Sequence, residues 1–557
     1  MRNEKMVLRL SRRAMLGGLI AAGLPHAAYA QLSLGSLFGK KPDAGKDAAS
    51  TQKKPADKLK PGKQGLFAGG YSQRFEPLRV MIATADYTDA IQAFVPPAAP
   101  TPTGSGTAPE TKGDVKAPLP EAHHAVLTSD PFLANVELGL IAFEAGQLDE
   151  AVDHLKKAEI LQDHAKGLGH TLGRGFGWFG SKVTGQGELA PYHPLDYEAV
   201  LQLNYLALAH LMKGQPTCYN VARRCIDFQQ EIKARFEKEI DEAKAKLARQ
   251  DADEAKKPPP KDQAARDEQA TEHQTLNDFT GEFKAYDSYA GRVPNAYVNP
   301  LGDYLAGVIQ EIASREQDAL RDNSRIAYEN AVALCGRSSQ LSAAAAAMKR
   351  ARVPNGERVV HVIVGEGFAP ERRELFFVLG LVGQLLPVRV PIFTPVASPI
   401  EAIDVHVGSA RLAVLDPIGD FEAIRMRSQQ DRVPLLTLDV TVGLVASYME
   451  GKAAHKFGPL GDVLYGGKEL ASHADTRSWL SLPRRFHVAR VALPAAATSI
   501  TLGTLGKAGQ RLASQRVEVP KGESHTVVYA RAVDGQITVH SARRLWIDGK
   551  LEIDTHA

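Results

Sequence analysis

Apolar residues recur at helical spacing over residues 130–163 and predict two antiparallel helices separated by a break at Gly146. The apolar positions are Leu133, Val136, Leu140 and Phe143 in the first helix, and Val152, Leu155, Ala158 and Leu161 in the second. Small residues such as Gly139 and Ala151 fall where a tetratricopeptide (TPR) repeat needs them, because its two helices cross closely. The alternative interpretation is an ordinary helical hairpin.

Weaker copies of this pattern follow at Leu206–Cys225 and Leu305–Leu334, and a single helix is predicted over Phe75–Val95. One helical pair cannot bury both of its faces, so at least three stacked pairs are expected. We therefore predict a TPR-like α-solenoid over residues 71–356.

Three stretches interrupt the helical pattern. Residues 31–70 are rich in Lys, Pro, Gly, Ala and Asp and are predicted to be a disordered tether, and residues 96–118 are of low complexity. Residues 231–274 are dominated by Lys, Glu, Asp and Ala around three consecutive prolines. We expect this third stretch to be a solvated insertion into which the preceding helix continues.

The pattern changes to short apolar runs near residue 357, with strands predicted at Val359–Val364 and Val388–Phe393 and a helix over Pro434–Lys452. From residue 485 strands alternate with turns, including Asp534-Gly535, a hairpin signature because both positions take positive φ. The predicted fold class is α+β and multidomain: the solenoid, a mixed α/β region over 357–484, and an antiparallel β-sandwich over 485–557.

Residues 1–30 have the composition of a secretory signal peptide. Arg12 and Arg13 precede an apolar stretch of about a dozen residues, too short to cross a membrane of roughly 30 Å as a helix. Ala28 and Ala30 form a small-x-small cleavage site. We expect export to the periplasm, by the twin-arginine route or by the general secretory route.

Charge limits the classes of partner. The signal segment holds five of the 67 basic residues and one of the 64 acidic residues, which leaves the remainder close to neutral. A main partner that is nucleic acid or anionic lipid would require a basic surplus. Three cysteines are too few for a disulfide scaffold.

Motifs for catalysis, metals or cofactors lack their required context. Residues 175–180 match G-x-G-x-x-G, but no strand precedes them, and neither H-E-x-x-H nor G-x-S-x-G occurs. We therefore predict no catalytic residue, metal or cofactor. Three aromatic residues in this glycine-rich loop, Phe176, Trp178 and Phe179, are candidate partner contacts if exposed; the alternative is that they fold back onto the solenoid.

The string from Ala474 to Pro483 is the most distinctive in the chain. Asp475 and Arg477 can pair as carboxylate and guanidinium, and Trp479 offers a large anchor. The string is interpreted either as a clasp that joins two domains or as a ligand or partner contact through Asp475, Arg477 and Trp479.

Several stretches resemble a family of uncharacterised bacterial envelope proteins, many of them lipoproteins, with a TPR-like N-terminal half and a β-rich C-terminal half. The matching stretches are Tyr197–Leu201 with Tyr205–Leu208, Asn299–Leu301 with Tyr304–Gly307, Gly367–Pro370, and Ala474–Trp479 with Leu482-Pro483. The resemblance implies architecture and compartment but no functional residue. Unlike the lipoprotein members, this chain has no lipid-attachment cysteine after its signal.

The leading functional hypothesis is a non-enzymatic periplasmic scaffold or adaptor of the cell envelope that binds a protein or peptide, with no nucleic-acid partner and no transmembrane span after signal removal. The second is a peptidoglycan- or glycan-binding protein that uses an exposed Trp479. The third is a hydrolase, for which Asp475, Asp416 and His473 are the candidate acids and base.

Overall fold

The computed structural model describes residues 71–94, 130–171, 192–256, 280–349, 358–437, 474–519 and 525–544, apart from a few single or paired positions inside these ranges. The expectations for the signal peptide with Ala28 and Ala30, for the tether and for residues 96–118 lie outside them. So do those for the aromatic residues Phe176, Trp178 and Phe179.

The first described segment forms two helices, α1 Tyr71–Ala83 and α2 Tyr87–Gln92, so the prediction of a single helix there is wrong. Ala85 has a φ of 57°, which an α-helix cannot accommodate. Tyr71, Phe75 and Leu78 are each only 1 % exposed, so the segment belongs to the core.

Between residues 130 and 349, the described part of the chain forms eight further helices that pack largely in chain order. They are α3 Pro131–Glu144, α4 Leu148–Thr171, α5 Asp196–Met212, α6 Thr217–Ala255, α7 Asp287–Ala290, α8 Pro300–Ala313, α9 Leu320–Cys335 and α10 Ser339–Lys349. The pair α3 and α4 confirms the predicted helical hairpin. A Cβ atom at Gly139 would lie 2.8 Å from the Cγ atom of Leu155, so the close crossing requires glycine at this position.

Helix α6 extends far into the stretch that was expected to be a solvated insertion. Ile232, Phe236, Ile240 and Ala243 on this helix are buried. The expectation is therefore wrong for this part of residues 231–274, because apolar residues at helical spacing give the charged helix one packed face.

Eleven strands within the described residues form three sheets. The strands are β1 Arg358–Glu366, β2 Glu371–Leu381, β3 Gln384–Thr394, β4 Ala402–Val407, β5 Ala410–Val414, β6 Asp416–Asp420, β7 Arg485–Leu493, β8 Ser499–Leu505, β9 Arg511–Glu518, β10 His525–Val533 and β11 Gln536–Arg544. Their orders are β11-β10-β1-β7-β6, β5-β4-β8-β9, and a separate two-stranded ribbon of β2 and β3. Helix α11, Phe421–Asp431, follows β6.

The strand order does not follow the predicted domain boundary at residue 484/485. Strand β1 lies between β7 and β10, antiparallel to the first and parallel to the second, and β4 pairs with β8. The described residues of the predicted 485–557 sandwich are thus neither a separate unit nor wholly antiparallel in their pairing. Every residue of β1 is buried, so this strand requires a neighbour on each side and a layer on each face.

Two cores follow from this arrangement. One lies between the helices and one face of the five-stranded sheet, and the other lies between the opposite face and the four-stranded sheet. The hairpin predicted at Asp534-Gly535 is confirmed, with φ values of 50° and 84°. The helix predicted over 434–452 lies mostly outside the described residues.

No helix within the described ranges is both long enough and apolar enough to cross a membrane.

Candidate functional site

Residues 474–484, which we call the strap, run between the helices and the five-stranded sheet without joining any of the three sheets. All eleven strap residues are buried. A buried backbone needs hydrogen-bond partners, and a segment outside a sheet must find many of them among side chains. Buried polar side chains are therefore expected to surround the strap.

Two glutamates from the helical layer accept strap N–H groups. Glu198 of α5 accepts from the backbone nitrogen of Trp479 through Oε1 at 2.9 Å. Glu137 of α3 accepts from Leu480 through Oε1 at 2.7 Å and from Ser481 through Oε2 at 3.1 Å. Both carboxyl groups are fully buried. Through these two glutamates the helices bind the backbone of the strap.

Three buried arginines donate to strap carbonyl oxygens from other sides. The bonds run from Arg372 to the oxygen of Arg477 at 3.1 Å, from Arg425 to that of Trp479 at 2.6 Å, and from Arg531 to that of Ser481 at 2.9 Å. Charged donors make shorter and stronger hydrogen bonds than neutral ones. The strap backbone is therefore hydrogen bonded by buried carboxylates at its N–H groups and by buried guanidinium groups at its carbonyl oxygens.

Two of these arginines also tie the strap to the loop after β1. Arg425 donates to the carbonyl oxygen of Pro370, and Arg531 donates to that of Gly367 at 2.9 Å. The backbone nitrogen of Ala369 donates to Leu482 at 2.8 Å. The stretches at 197–201, 367–370 and 474–483 thus meet at one place.

Asp475 and Arg477 form the ion pair that the sequence suggested. Arg477 donates from Nε to Oδ1 of Asp475 at 2.9 Å and from Nη2 to Oδ2 at 3.0 Å. Its Nη1 lies 3.4 Å from Asp130, which caps the N-terminus of α3 by accepting from the backbone of Leu133. The pair therefore anchors the strap to the start of a helix.

The structure gives the strap residues an internal role. Asp475 and Trp479 are fully buried and Arg477 is 3 % exposed. The indole nitrogen of Trp479 donates to Ser481 Oγ at 2.9 Å, and its ring packs beside Tyr205. The three residues contact the chain itself in this conformation, so the clasp interpretation agrees with the geometry and the exposed Trp479 of the glycan hypothesis does not.

The remaining hydrolase candidates are not brought together. Asp416 accepts hydrogen bonds from Ser338, Ser339 and the backbone of Gln340 and thereby caps helix α10. His473 lies outside the described residues.

Burial also changes the pKa of Glu137, one of the two glutamates that bind the strap. It raises the pKa of Glu137 to about 7, although the hydrogen bonds from Ser481 and Leu480 act in the opposite direction. Ionisation of Glu137 near neutral pH is therefore costly, and the backbone N–H groups of the strap reduce that cost.

A second buried polar cluster joins α8 to the same sheet and was missed from the sequence. His361 of β1 lies opposite Arg490 of β7, and His525 of β10 lies two register positions away on the neighbouring strand and therefore on the same face. Glu311 of α8 faces the two histidines, and a carboxylate oxygen of Glu311 lies within 4.8 Å of a ring nitrogen of each. Tyr328 of α9 donates a hydrogen bond to Glu311 at 2.8 Å. All of these side chains except Arg490 are almost completely buried.

The Glu311 cluster does not fit a metal ion. Arg490 binds both carboxylate oxygens of Glu311 at 2.7–3.1 Å, and Tyr328 and His525 approach the same oxygens. A carboxylate has about four lone-pair positions, and these donors fill them. A cation would have to displace Arg490 from a buried ion pair.

His361 is the unusual member of the cluster. Neither of its ring nitrogens makes a hydrogen bond within the described structure, and Nε2 lies 3.7 Å from Glu311. Burial lowers the pKa of His361 to about 3, which keeps the ring neutral. One signal was visible in the sequence, because His361 interrupts an otherwise apolar strand. Nothing local connects it with Glu311 or His525.

Comparisons of the chain with protein-family models, with curated proteins and with solved structures gave no match.

We predict that Arg425→Met lowers the free energy of unfolding by about 3–5 kcal/mol. The change leaves the carbonyl oxygens of Pro370 and Trp479 without this donor and removes a buried positive charge 3.9 Å from Glu198. Arg427→Met is the matched control, because Arg427 lies in the same helix, is 32 % exposed and pairs with Asp431 one turn away. It should cost less than about 1 kcal/mol. Urea unfolding of both variants measures the difference. Equal losses of unfolding free energy would show that the hydrogen bonds of Arg425 do not hold the strap.

We predict that His361→Gln flattens the loss of stability on acidification. The folded state keeps His361 neutral to a pKa of about 3, whereas the unfolded chain binds a proton below its ordinary value of 6.5. The stability that this difference contributes is complete above pH 6.5 and falls as pH is lowered towards 3.

The wild-type chain should therefore lose up to about 1.4 kcal/mol more per pH unit than the variant across this window. Urea unfolding at pH 7, 6, 5 and 4 measures the two slopes. Glu137 titrates in both chains and cancels in the comparison. Parallel slopes would show that His361 is not held neutral.

Proposed function

We propose that the protein is a non-enzymatic periplasmic scaffold or adaptor of the cell envelope that binds a protein or peptide partner through its helices. The paired helices α3 with α4, α5 with α6, and α8 with α9 support this, since each pair packs against the next. The proposal includes a TPR-like solenoid as the identity of this layer. Arrays of this kind expose long surfaces of neighbouring helices to partners.

The observation that carries the proposal is the binding of the strap by the helices. Glu137 and Glu198 hold three consecutive N–H groups of an extended segment. Recognition of a backbone by helix side chains is the chemistry that peptide binding requires. Because the strap occupies this face, a partner binds elsewhere on the layer.

The outward side of the helices offers positions for such a partner. Ile160 on α4 is 56 % exposed, which is unusual for a large apolar side chain in this structure. Helix α6 exposes basic and acidic residues such as Lys238 and Asp241 along its length. An exposed large apolar side chain can form the centre of a protein contact, and charged residues beside it would then form the polar rim.

The alternatives have less support. A glycan site needs an accessible aromatic ring, and Trp479 is fully buried. A hydrolase needs an accessible acid or base, whereas Asp475 is closed by Arg477 and Asp416 is used as a helix cap. The glycan alternative nevertheless predicts a distinct outcome in the experiment below.

The proposal predicts crosslinks from the helices to one envelope protein. A photo-crosslinking amino acid would be placed at Ile160 or Lys238 in the full-length chain, and at exposed Gln515 on β9 as the matched control. Irradiation of intact cells followed by mass spectrometry should identify the same protein from both helical positions and not from Gln515. The full chain is needed because a fragment ending near residue 356 would lose the strap.

Crosslinks to peptidoglycan fragments would support the glycan alternative and overturn the proposal. So would protein crosslinks confined to Gln515, or the absence of any product from both helical positions.

A further inference from the structure

Residues 71–94 pack against the rest of the protein in the way that a helical peptide packs into a groove. One face of α1 carries Tyr71, Phe75, Leu78 and Ile82, each at most 2 % exposed. These positions are four, three and four residues apart, which places them on one side of a helix. Val80 on another side is 54 % exposed. Helix α1 is therefore amphipathic, and the protein covers its apolar face.

The groove that holds this segment is formed by the start of β2, the loop before it, the strap and α3. Arg79 donates a hydrogen bond to Glu371 at 2.6 Å, and its guanidinium lies 5.6 Å from the centre of the Phe368 ring. The backbone nitrogen of Tyr71 donates to Thr476 Oγ1 at 3.0 Å, and α2 packs against α3. The groove thus fits a helix with a row of large apolar residues and one basic residue.

The helices and the sheets are joined by contacts in which this segment takes no part. Glu137 and Glu198 bind the N–H groups of the strap, and Arg425 and Arg531 bind its carbonyl oxygens. No residue of 71–94 belongs to these described hydrogen bonds. We therefore expect the remaining chain to keep its fold when the groove is empty.

Helix α1 is a poor helix by itself. Pro77 lies in its interior, where a proline has no N–H to donate to the preceding turn. Its thirteen residues are also too few for a stable isolated helix in water. The segment consequently becomes ordered only by docking, and the loss of conformational freedom weakens its binding to the groove.

Buried polar groups of α1 weaken the docking further. Nε and Nη2 of Arg79 and the hydroxyl of Tyr71 make no hydrogen bond within the described structure. Water would bind these groups if the segment left the groove, so their burial opposes docking. The 35 residues between Phe94 and Asp130 could extend over roughly 115–125 Å, so the length of the chain permits the segment to leave.

We propose that this groove binds a helical peptide of a partner protein, and that residues 71–94 occupy the groove when the partner is absent. The partner helix has large apolar residues at the spacing of the four buried positions of α1. It has a basic residue directly after the third of them, where Arg79 reaches Glu371. The groove does not include the outward positions on α4 and α6, so the inference stands apart from the function proposed above.

A partner is favoured over a second copy of the chain by a comparison of affinities. A tethered segment has an effective concentration of roughly millimolar at its own groove. A second copy offers the same segment with the same affinity and cannot displace it at lower concentration. A partner helix without an interior proline and without the unpaired donors binds more tightly and can displace it.

The test uses the full-length chain without its signal peptide, with a site for a specific protease placed within residues 96–118. A fluorescent peptide of residues 71–94 is the probe, and its anisotropy measures binding before and after cleavage. The peptide should bind the cut chain at least 100-fold more tightly than the uncut chain, because only the cut segment can be diluted away. The cut chain should keep one cooperative thermal transition.

Peptide variants test the contacts without any change to the protein. Phe75→Glu in the peptide should weaken binding at least 100-fold, because it would bury a carboxylate in an apolar groove. Val80→Glu is the matched control at an exposed position and should bind as the native peptide does. Pro77→Ala should bind at least tenfold more tightly, because the helix forms more readily, and should then displace the tethered segment of the uncut chain.

Equal binding of the peptide to the cut and uncut chains would place it on another surface and overturn the proposal. A cut chain that never admits the peptide, or that unfolds on dilution, would also overturn it, since residues 71–94 would then be a permanent part of the core. So would a Pro77→Ala peptide that cannot displace the tethered segment. Dimers formed when uncut chains exchange this segment would assign the groove to a second copy and overturn its assignment to a partner.

Discussion

The structure depends on the way the buried backbone of the strap is hydrogen bonded. A strand inside a sheet receives its partners from neighbouring backbones, but the strap receives them from Glu137 and Glu198 on one side and from Arg372, Arg425 and Arg531 on others. Each group left without a partner in this environment would cost about 1–3 kcal/mol. The helices and the sheets therefore stabilise each other, because side chains from both are needed to satisfy the buried backbone groups of the strap.

Buried ion pairs also connect the helices to the five-stranded sheet. Glu144 of α3 meets Arg531 at 3.3 Å, and Glu311 of α8 meets Arg490 of β7 at 2.7 Å. In these pairs the acid is on a helix and the base is on the five-stranded sheet. Buried pairs contribute little net stability compared with apolar packing, but losing one partner is expensive. Such pairs fix how the helical layer is placed against the five-stranded sheet, as the proposed scaffold role would require.

Local patterns in the sequence predicted local structure well, and long-range structure poorly. The hairpin of α3 and α4 and the turn at Asp534-Gly535 follow from spacing and from turn chemistry within a few residues. The parallel pairing of β1 with β10 joins residues more than 160 positions apart, and the repeated apolar residues of β1 are compatible with many neighbours. The chemistry of the site was the least predictable part. Asp475 and Arg477 allowed a surface contact as a second interpretation beside the clasp, and Glu311 and His525 had no signal, because burial of a charge depends on partners far along the chain.

Amide hydrogen exchange at the strap tests the central claim most directly. The account predicts that the amides of Trp479, Leu480 and Ser481 exchange only when the whole protein unfolds, with an opening free energy equal to that of the β1 amides. Exchange of these three amides within minutes, while β1 remains protected, would show that the strap opens independently. It would then be a surface segment and not the element that holds the helices and sheets together.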